Sequence, residues 1–293
     1  MVNLNMYNNF TEFDLPENER WENLTLANDF MFCKVFEDLD LCLELVQTIL
    51  PELNIARIAF NEPQKPVKET FDTRGVRFDI YLRDDSNRII DVEIQTVNRD
   101  NIPRRTRAYH SMIDLDAMER KSVKIYDDIP DSIVIFICCF DLFNKGRHIY
   151  PFRNLCESDS TLQLGDGART IILNTRGELD DVSPKLKAFL NLINGKSSND
   201  SFVVRLEERL QYARQNKNWR QNYMLTKFEK NFERNLNIKE GREIGLQEGR
   251  EIGIQEGMKE GRRDMLEQAI NFMRTLGATP EQIEYFRNSQ GVI

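Results

Sequence analysis

The stretch Arg77–Gln95, RFDIYLRDDSNRIIDVEIQ, sets two alternating runs on either side of a turn, and its reading decides the fold. In the first run Phe78, Ile80 and Leu82 alternate with Arg77, Asp79 and Tyr81. In the second, Ile90, Val92 and Ile94 alternate with Asp91, Glu93 and Gln95. A period of two puts successive side chains on opposite faces, so each run reads as a strand with one apolar and one polar face. The residues between them, Asp84 to Arg88, are turn formers. A three-residue loop of Asp85, Ser86 and Asn87, with Asn87 in the left-handed conformation, sets Asp84 against Arg88 and Asp79 opposite Glu93. A two-residue loop shifts the pairing by one residue and sends the two carboxylates to opposite faces.

Facing side chains of an antiparallel pair have Cβ atoms about 4.5–5.5 Å apart, and like charges there repel. Two readings of Asp79 and Glu93 follow. Either a hard divalent cation lies between them, as Mg²⁺ does with one or two carboxylates and several waters, or they are solvated residues on an exposed hairpin, each beside an arginine. Gln95 lies two residues beyond Glu93, on the same face and beside the place of an attacking water.

Upstream, LTLANDFMFCKVFEDLDLCLELVQTILPEL repeats apolar residues at three- and four-residue intervals from Phe30 to Leu50, the pattern of one or two amphipathic helices ended by Pro51. Downstream, a helix is expected from Pro103 to about Arg120. SIVIFICCF is an apolar run suited to a strand buried on both faces, and RTIILNT reads as another. Helix, hairpin, helix and buried strands describe an α/β fold with a mixed central sheet flanked by helices. Three further helical stretches follow between Val182 and Asn237, with GKSSND (195–200) as the linker among them.

The tail EGREIGLQEGREIGIQEGMKEGRRD has a period of eight, with glycine at 241, 245, 249, 253, 257 and 261. Four residues turn an ideal helix through about 400°, so the glycine row drifts by about 40° per step and forms no straight seam. Six glycines cost about 5–6 kcal/mol of helix propensity relative to alanine. The tail therefore reads as a marginal helix wrapping a second copy of itself, or as a flexible charged arm. The expected organisation is a flexible segment over 1–23, a core over 24–180, a helical extension over 181–237, the repeat over 238–263 and a helix-turn-helix-like unit over 264–293.

Composition narrows the chemistry. The chain has 293 residues, 40% of them hydrophobic, enough for one domain with a real core plus appendages. Five cysteines without CxxC spacing read as reduced thiols, and two histidines, His110 and His148, leave little material for zinc or a Ser-His-Asp relay. The net charge of −8 argues against nonspecific coating of nucleic acid, although Arg99, Arg104, Arg105 and Arg107 make a local basic segment. The first thirty residues show no signal-peptide pattern and no apolar stretch reaches spanning length, so a cytoplasmic protein is expected.

The hairpin, followed by PRRTRAYHSMID, IVIFICCFDLF, IYPFRN and ILNTRG, resembles the PD-(D/E)XK nuclease family transposases, also called recombination-promoting nucleases (Rpn). The similarity runs from about Asn23 to Gly177. It implies a restriction-endonuclease-like core and an Mg²⁺-dependent endonuclease (Mn²⁺ as substitute) that hydrolyses DNA phosphodiesters in recombination or mobile-element biology. By position, Asp79 is similar to the motif aspartate, Glu93 to the second acid, and Gln95 stands where the motif has lysine. Asp79 and Glu93 would be metal ligands and Gln95 would position water. Arg105 and Tyr109 match the Arg-x-x-x-Tyr of the next helix, and Arg104, Arg105, Arg107 and Tyr109 are the expected DNA contacts. Phe78 departs from the family, which has proline before the motif aspartate. The partners expected are DNA and a second copy of the chain, through its C-terminal helical region. The alternative is a non-catalytic nucleic-acid-binding or oligomerising protein that retains the fold.

Overall fold

A computed structural model of the chain describes residues 11–63, 66–67, 76–119 and 124–289. Chain order begins with short 3-10 turns, then α1 (Asp29–Val35) and α2 (Leu39–Ile49). Each helix starts on a side-chain cap. Asn28 accepts from the amides of Phe30 and Met31, and Asp38 from those of Asp40 and Leu41, which satisfies donors that a helix start leaves open. After a turn at Pro51–Leu53 come β1 (Ile58–Pro63), β2 (Pro66–Val67), β3 (Val76–Arg77), β4 (Ile80–Asp84), β5 (Ile89–Gln95) and α3 (Ile102–Glu119). Then follow β6 (Ser132–Cys138), β7 (Ile149–Arg153), β8 (Leu155–Cys156), β9 (Asp159–Gln163) and β10 (Ala168–Asn174). The chain continues through α4 (Pro184–Ile193), α5 (Ser201–Gln215), α6 (Lys217–Thr275) and α7 (Pro280–Ser289).

The main sheet has the order β1-β4-β5-β6-β10-β7. β5, β6 and β10 run parallel, and the outer pairings are antiparallel. This is the mixed α/β sheet that the pattern implies. The hairpin register agrees with the three-residue loop: Ile80 faces Val92, Tyr81 faces Asp91 and Leu82 faces Ile90. Asn87 has φ of 64°, and Asp84 caps the turn by accepting from the amides of Ser86 and Arg88.

Both faces of this hairpin are covered, which overturns the reading of its acids as solvated residues on an exposed hairpin. Ile80, Leu82, Ile90, Val92 and Ile94 join a core with α1, α2, α4 and α5. Tyr81 and Ile89 join a second core under α3, with Tyr109, Ile113, Val134 and Phe136. Phe78 belongs to this second core rather than beside Ile80, because the chain bends at Phe78–Asp79 and breaks the alternation before β4 begins. Each fully buried Leu, Ile or Phe contributes about 1.5–3 kcal/mol, so the two faces together outweigh any preference of the hairpin for water.

Other boundaries differ from those expected. Residues 11–23 are not loosely attached: Leu15 and Trp21 are buried, Trp21 Nε1 donates to Arg214 O at 2.8 Å, and Tyr223 Oη donates to Glu19 O at 2.7 Å. Residues 1–10 lie outside the described ones. α4 and α5 are no extension, since Phe189, Leu190, Phe202, Val203 and Leu206 are integral to the core on the sheet. The chain divides into two compact units, residues 1–224 and 225–293, with the boundary inside α6. The glycine repeat is helical throughout, and α6 ends before Gly277, which adopts φ of 83°. α7 then begins at Pro280, as the Thr279-Pro280 start signal implies. Among the described residues no helix is long and apolar enough to cross a membrane. None of the five cysteines forms a disulfide, and Cys33, Cys42 and Cys138 are buried.

The N-terminal anchoring has a direct test. Trp21→Ala removes a side chain that is 1% exposed and packs on Phe30 and Tyr223, so it should cost about 3–5 kcal/mol in chemical denaturation. A cost below about 1 kcal/mol would mean that residues 11–23 do not belong to the core.

Candidate active site

The site forms where the C-terminal end of β5 meets the start of α3. Glu93 faces Phe136 and Gln95 faces Cys138 across the β5–β6 pair, at the carboxyl ends of parallel strands, where α/β sheets open a crevice. Its geometry rests on a reciprocal exchange between backbone and carboxylate. The Asp79 amide donates to Glu93 Oε1 at 2.9 Å, and the Ile94 amide donates to Asp79 Oδ2 at 3.1 Å. Cys33 Sγ of α1 donates to Asp79 O at 3.3 Å and holds the bend from the opposite layer. Asp79 and Glu93 are therefore brought together, although Asp79 lies at the bend before β4 and is not the strand partner of Glu93 that the register implies.

α3 closes over them. Arg105 Nη2 donates to Glu93 Oε2 at 3.2 Å and to Tyr109 Oη at 2.8 Å, while Tyr109 Oη donates to Glu93 Oε2 at 3.1 Å. Arg105 Nη1 donates to Gln95 Oε1 at 2.6 Å, and Gln95 Nε2 donates to Val97 O at 2.9 Å. Tyr109 is buried, its ring against Phe78 (5.2 Å between centroids) and Phe136 (5.6 Å). That position corrects its expected role as a DNA contact, since the ring offers no face to a nucleic acid and its hydroxyl serves Glu93. Arg104 and Arg107 are exposed at the start of α3, where a phosphate backbone can reach them. His110 is not a surface residue: its ring nitrogens lie 2.7 Å from Ser132 Oγ and 3.1 Å from Thr170 Oγ1, tying α3 to β6 and β10. Burial holds its pKa below the usual imidazole range.

A third acid, Asp91, is part of this environment and has no counterpart among the expected site residues. It is 0% exposed, and neither carboxyl oxygen has a hydrogen-bond partner among the described residues. The signal was present in DVEIQ, where residues 91, 93 and 95 share a face, but spacing alone does not say which acids are buried. Burial, followed by the charges of Glu93 and Asp79, drives the Asp91 pKa well above the carboxylate range, with Arg105 opposing. Glu93 is pushed up to about 8 by burial and then by Asp79, against the Asp79 amide, Arg105 and Tyr109. Two acids at the ends of α1 are engaged elsewhere: Glu37 pairs with Lys34, and Asp29 accepts from the Phe30 amide at 2.8 Å.

Hard oxygen donors and an excess of buried negative charge suit a divalent cation of the Mg²⁺ type. Among the described residues no group of three or more His, Cys, Asp and Glu is arranged to hold a metal. Asp79 and Glu93 are the pair that fits.

The raised acids make a pH prediction for protein kept in chelator. Native Glu93 keeps its proton up to about pH 8 whereas the unfolded chain releases it near 4.5, so stability is lost as pH rises through that window. Asp91 acts in the same direction. The melting temperature of wild type should fall between pH 5 and 8 more steeply than that of Glu93→Gln or Asp91→Asn, and Mg²⁺ should reduce the fall. Equal slopes in all three proteins would show that these acids are not the source.

Comparison with protein families places a model described as PD-(D/E)XK nuclease family transposase on residues 26–194. No curated protein and no solved structure matches the chain. The matched region begins just before α1 and ends just after α4, enclosing the whole main sheet and the Asp79–Glu93–Gln95 cluster. With more than half of its length covered by that match, the chain belongs to the PD-(D/E)XK nuclease family transposases.

Proposed function

We propose that the chain is a divalent-cation-dependent DNA endonuclease that hydrolyses phosphodiesters, with a role in DNA recombination or mobile elements. The observation that supports it most is the reciprocal lock between Asp79 and Glu93, which holds two acids in place against their mutual repulsion. Asp79 and Glu93 would hold the cation, Mg²⁺ by choice and Mn²⁺ as a substitute. When bound, it would supply Lewis-acid stabilisation of the charge that builds on the phosphoryl oxygens.

The chain's own residues do the rest. Gln95 orients the attacking water by hydrogen bonding; as the water oxygen bonds to phosphorus it gives up a proton to bulk water, the ester P–O bond breaks, and the departing oxygen takes up a proton from bulk water. Exposed Arg104 and Arg107 contact the DNA backbone, fixing its position without reading sequence. Tyr109 and Arg105 hold the second Glu93 oxygen, so that carboxylate cannot rotate out of the site.

A second reading is a binding protein that retains the fold without catalysis. It is favoured by one feature: both ends of the Gln95 amide are engaged, by Arg105 and by Val97 O. Plasmid cleavage with Mg²⁺ or Mn²⁺ separates the two. Under the nuclease reading, Asp79→Ala and Glu93→Ala each lower the rate by about two to three orders of magnitude, the scale of losing a preorganised electrostatic group. Wild type and both variants nicking at one rate, or not at all, would favour the binding protein.

A second copy of the chain is the other partner in this reading. Ile254, Met258, Met265 and Phe272 are all more than half exposed, and their spacing of 4, 7 and 7 keeps them within about 40° of one another on α6. Spacing of this kind is that of a two-stranded coiled-coil seam. Light scattering should report the mass of two chains, falling to one in Met265→Glu/Phe272→Glu. A single-chain mass for wild type at micromolar concentration rules this seam out.

A further inference from the structure

A lysine at position 95 would bring a positive charge to the hairpin, and this chain has an amide there, flanked on the same face by Glu93 and Asp91. The structure places a cation beside it from another element. Arg105 Nη1 reaches Gln95 Oε1 at 2.6 Å, so a full positive charge stands one hydrogen bond from the lysine's place. The guanidinium is fixed from the other sides by Glu93 Oε2 and Tyr109 Oη, and it stacks over the rings of Phe136 (5.0 Å) and Tyr109 (5.4 Å). Burial opposes its charge, but Tyr109, Glu93 and Asp79 outweigh that and raise the Arg105 pKa.

The same contacts decide which way the Gln95 amide points. Reversing it would set its NH₂ against the guanidinium and its oxygen against Val97 O, two repulsive pairs in place of two hydrogen bonds. Arg105 is also unlike its neighbours on α3: Arg104 and Arg107 are exposed, whereas the Arg105 side chain is only 29% exposed and turned onto the sheet.

We propose that Arg105 is a positioning residue that takes over the electrostatic role of the missing hairpin lysine. It holds the Gln95 oxygen toward the reacting water and contributes the positive charge that the amide lacks. The proposal rests on the nuclease reading and deepens it by assigning Arg105 to the site rather than to the DNA-contacting set. A planar, permanently charged guanidinium can hold Gln95, Glu93 and Tyr109 together, which one ammonium group does less well.

Cleavage kinetics on plasmid DNA with Mg²⁺ test it, using wild type, Asp79→Ala, Arg105→Gln, Arg105→Lys and the double variant Gln95→Lys/Arg105→Gln, with melting temperatures for each. Arg105→Gln should lower kcat by about 100-fold with KM nearly unchanged, the scale of losing one preorganised charge-stabilising group. Returning a lysine to position 95 in that background should regain at least about tenfold in kcat, since the charge then comes from the hairpin itself. Arg105→Lys should retain more kcat than Arg105→Gln. A rise in KM with kcat intact would make Arg105 an ordinary DNA contact and overturn the proposal. So would a double variant that melts like wild type and regains nothing, or Arg105→Lys falling as far as Arg105→Gln. If wild type cleaves no faster than Asp79→Ala, the nuclease reading itself falls and takes this assignment with it. If wild type is active, Asp79→Ala is not and Arg105→Gln keeps full kcat, only the Arg105 assignment falls.

Discussion

The constraint on which the rest of the structure depends is the burial of an acidic strand face. β5 presents Asp91 and Glu93 to the side of the sheet that α3 covers, and both are nearly or fully withdrawn from water. An isolated buried carboxylate is strongly disfavoured, so such a face persists only with protons, cations or hydrogen-bond donors to compensate. The chain supplies some of each. The Asp79 amide and Tyr109 Oη donate to Glu93, Arg105 brings a positive charge, and burial itself pushes Glu93 up to about 8. Asp91 has no such donors among the described residues, and for it the compensation is a proton, since burial drives its pKa well above the carboxylate range.

α3 is where the fold and the candidate chemistry meet. One helix carries the aromatic packing that closes the second core, through Tyr109 and Ile113, and the cationic group that faces the acids, Arg105. His110, next to Tyr109, fixes the same helix to β6 and β10 through Ser132 and Thr170. Because these contacts share one rigid element, a change in the packing of α3 shifts the guanidinium relative to Glu93 and Gln95. That coupling is a physical reason for a site of this kind to be built across a strand end and a helix start rather than on a loop.

The second unit follows a different logic. Beyond the helix's own backbone, the six repeat glycines meet no atom of the described residues within 4 Å at the position a Cβ would take. Yet α6 is continuous across them. Glutamate and arginine dominate the repeat, and apolar side chains such as Ile252 and Ile254 lie more than half exposed. Of the two readings that the repeat allows, a marginal helix or a flexible arm, the structure takes the helix.

Much of the first unit was legible in the residues alone. Period-two alternation and the turn formers mark the hairpin, whereas of the two registers they allow, the structure selects the three-residue loop with Asn87 in the left-handed region. The apolar run of β6 and the Thr279-Pro280 helix start are equally local signals, and so is the helix over Ile102–Glu119. What the sequence could not decide was exposure. Whether a polar strand face meets water or a helix depends on where α3 lands, and that is set by contacts 12 to 60 residues apart, such as Arg105 to Glu93 and His110 to Thr170. The same holds for β1 and β7, edge strands whose weak patterns gain definition only from β4 and β10 beside them. Tertiary structure alone made Asp91 a buried acid, turned Tyr109 inward and brought Arg105 to Gln95, because burial and charge proximity are properties of assembled layers rather than of neighbouring residues along a chain.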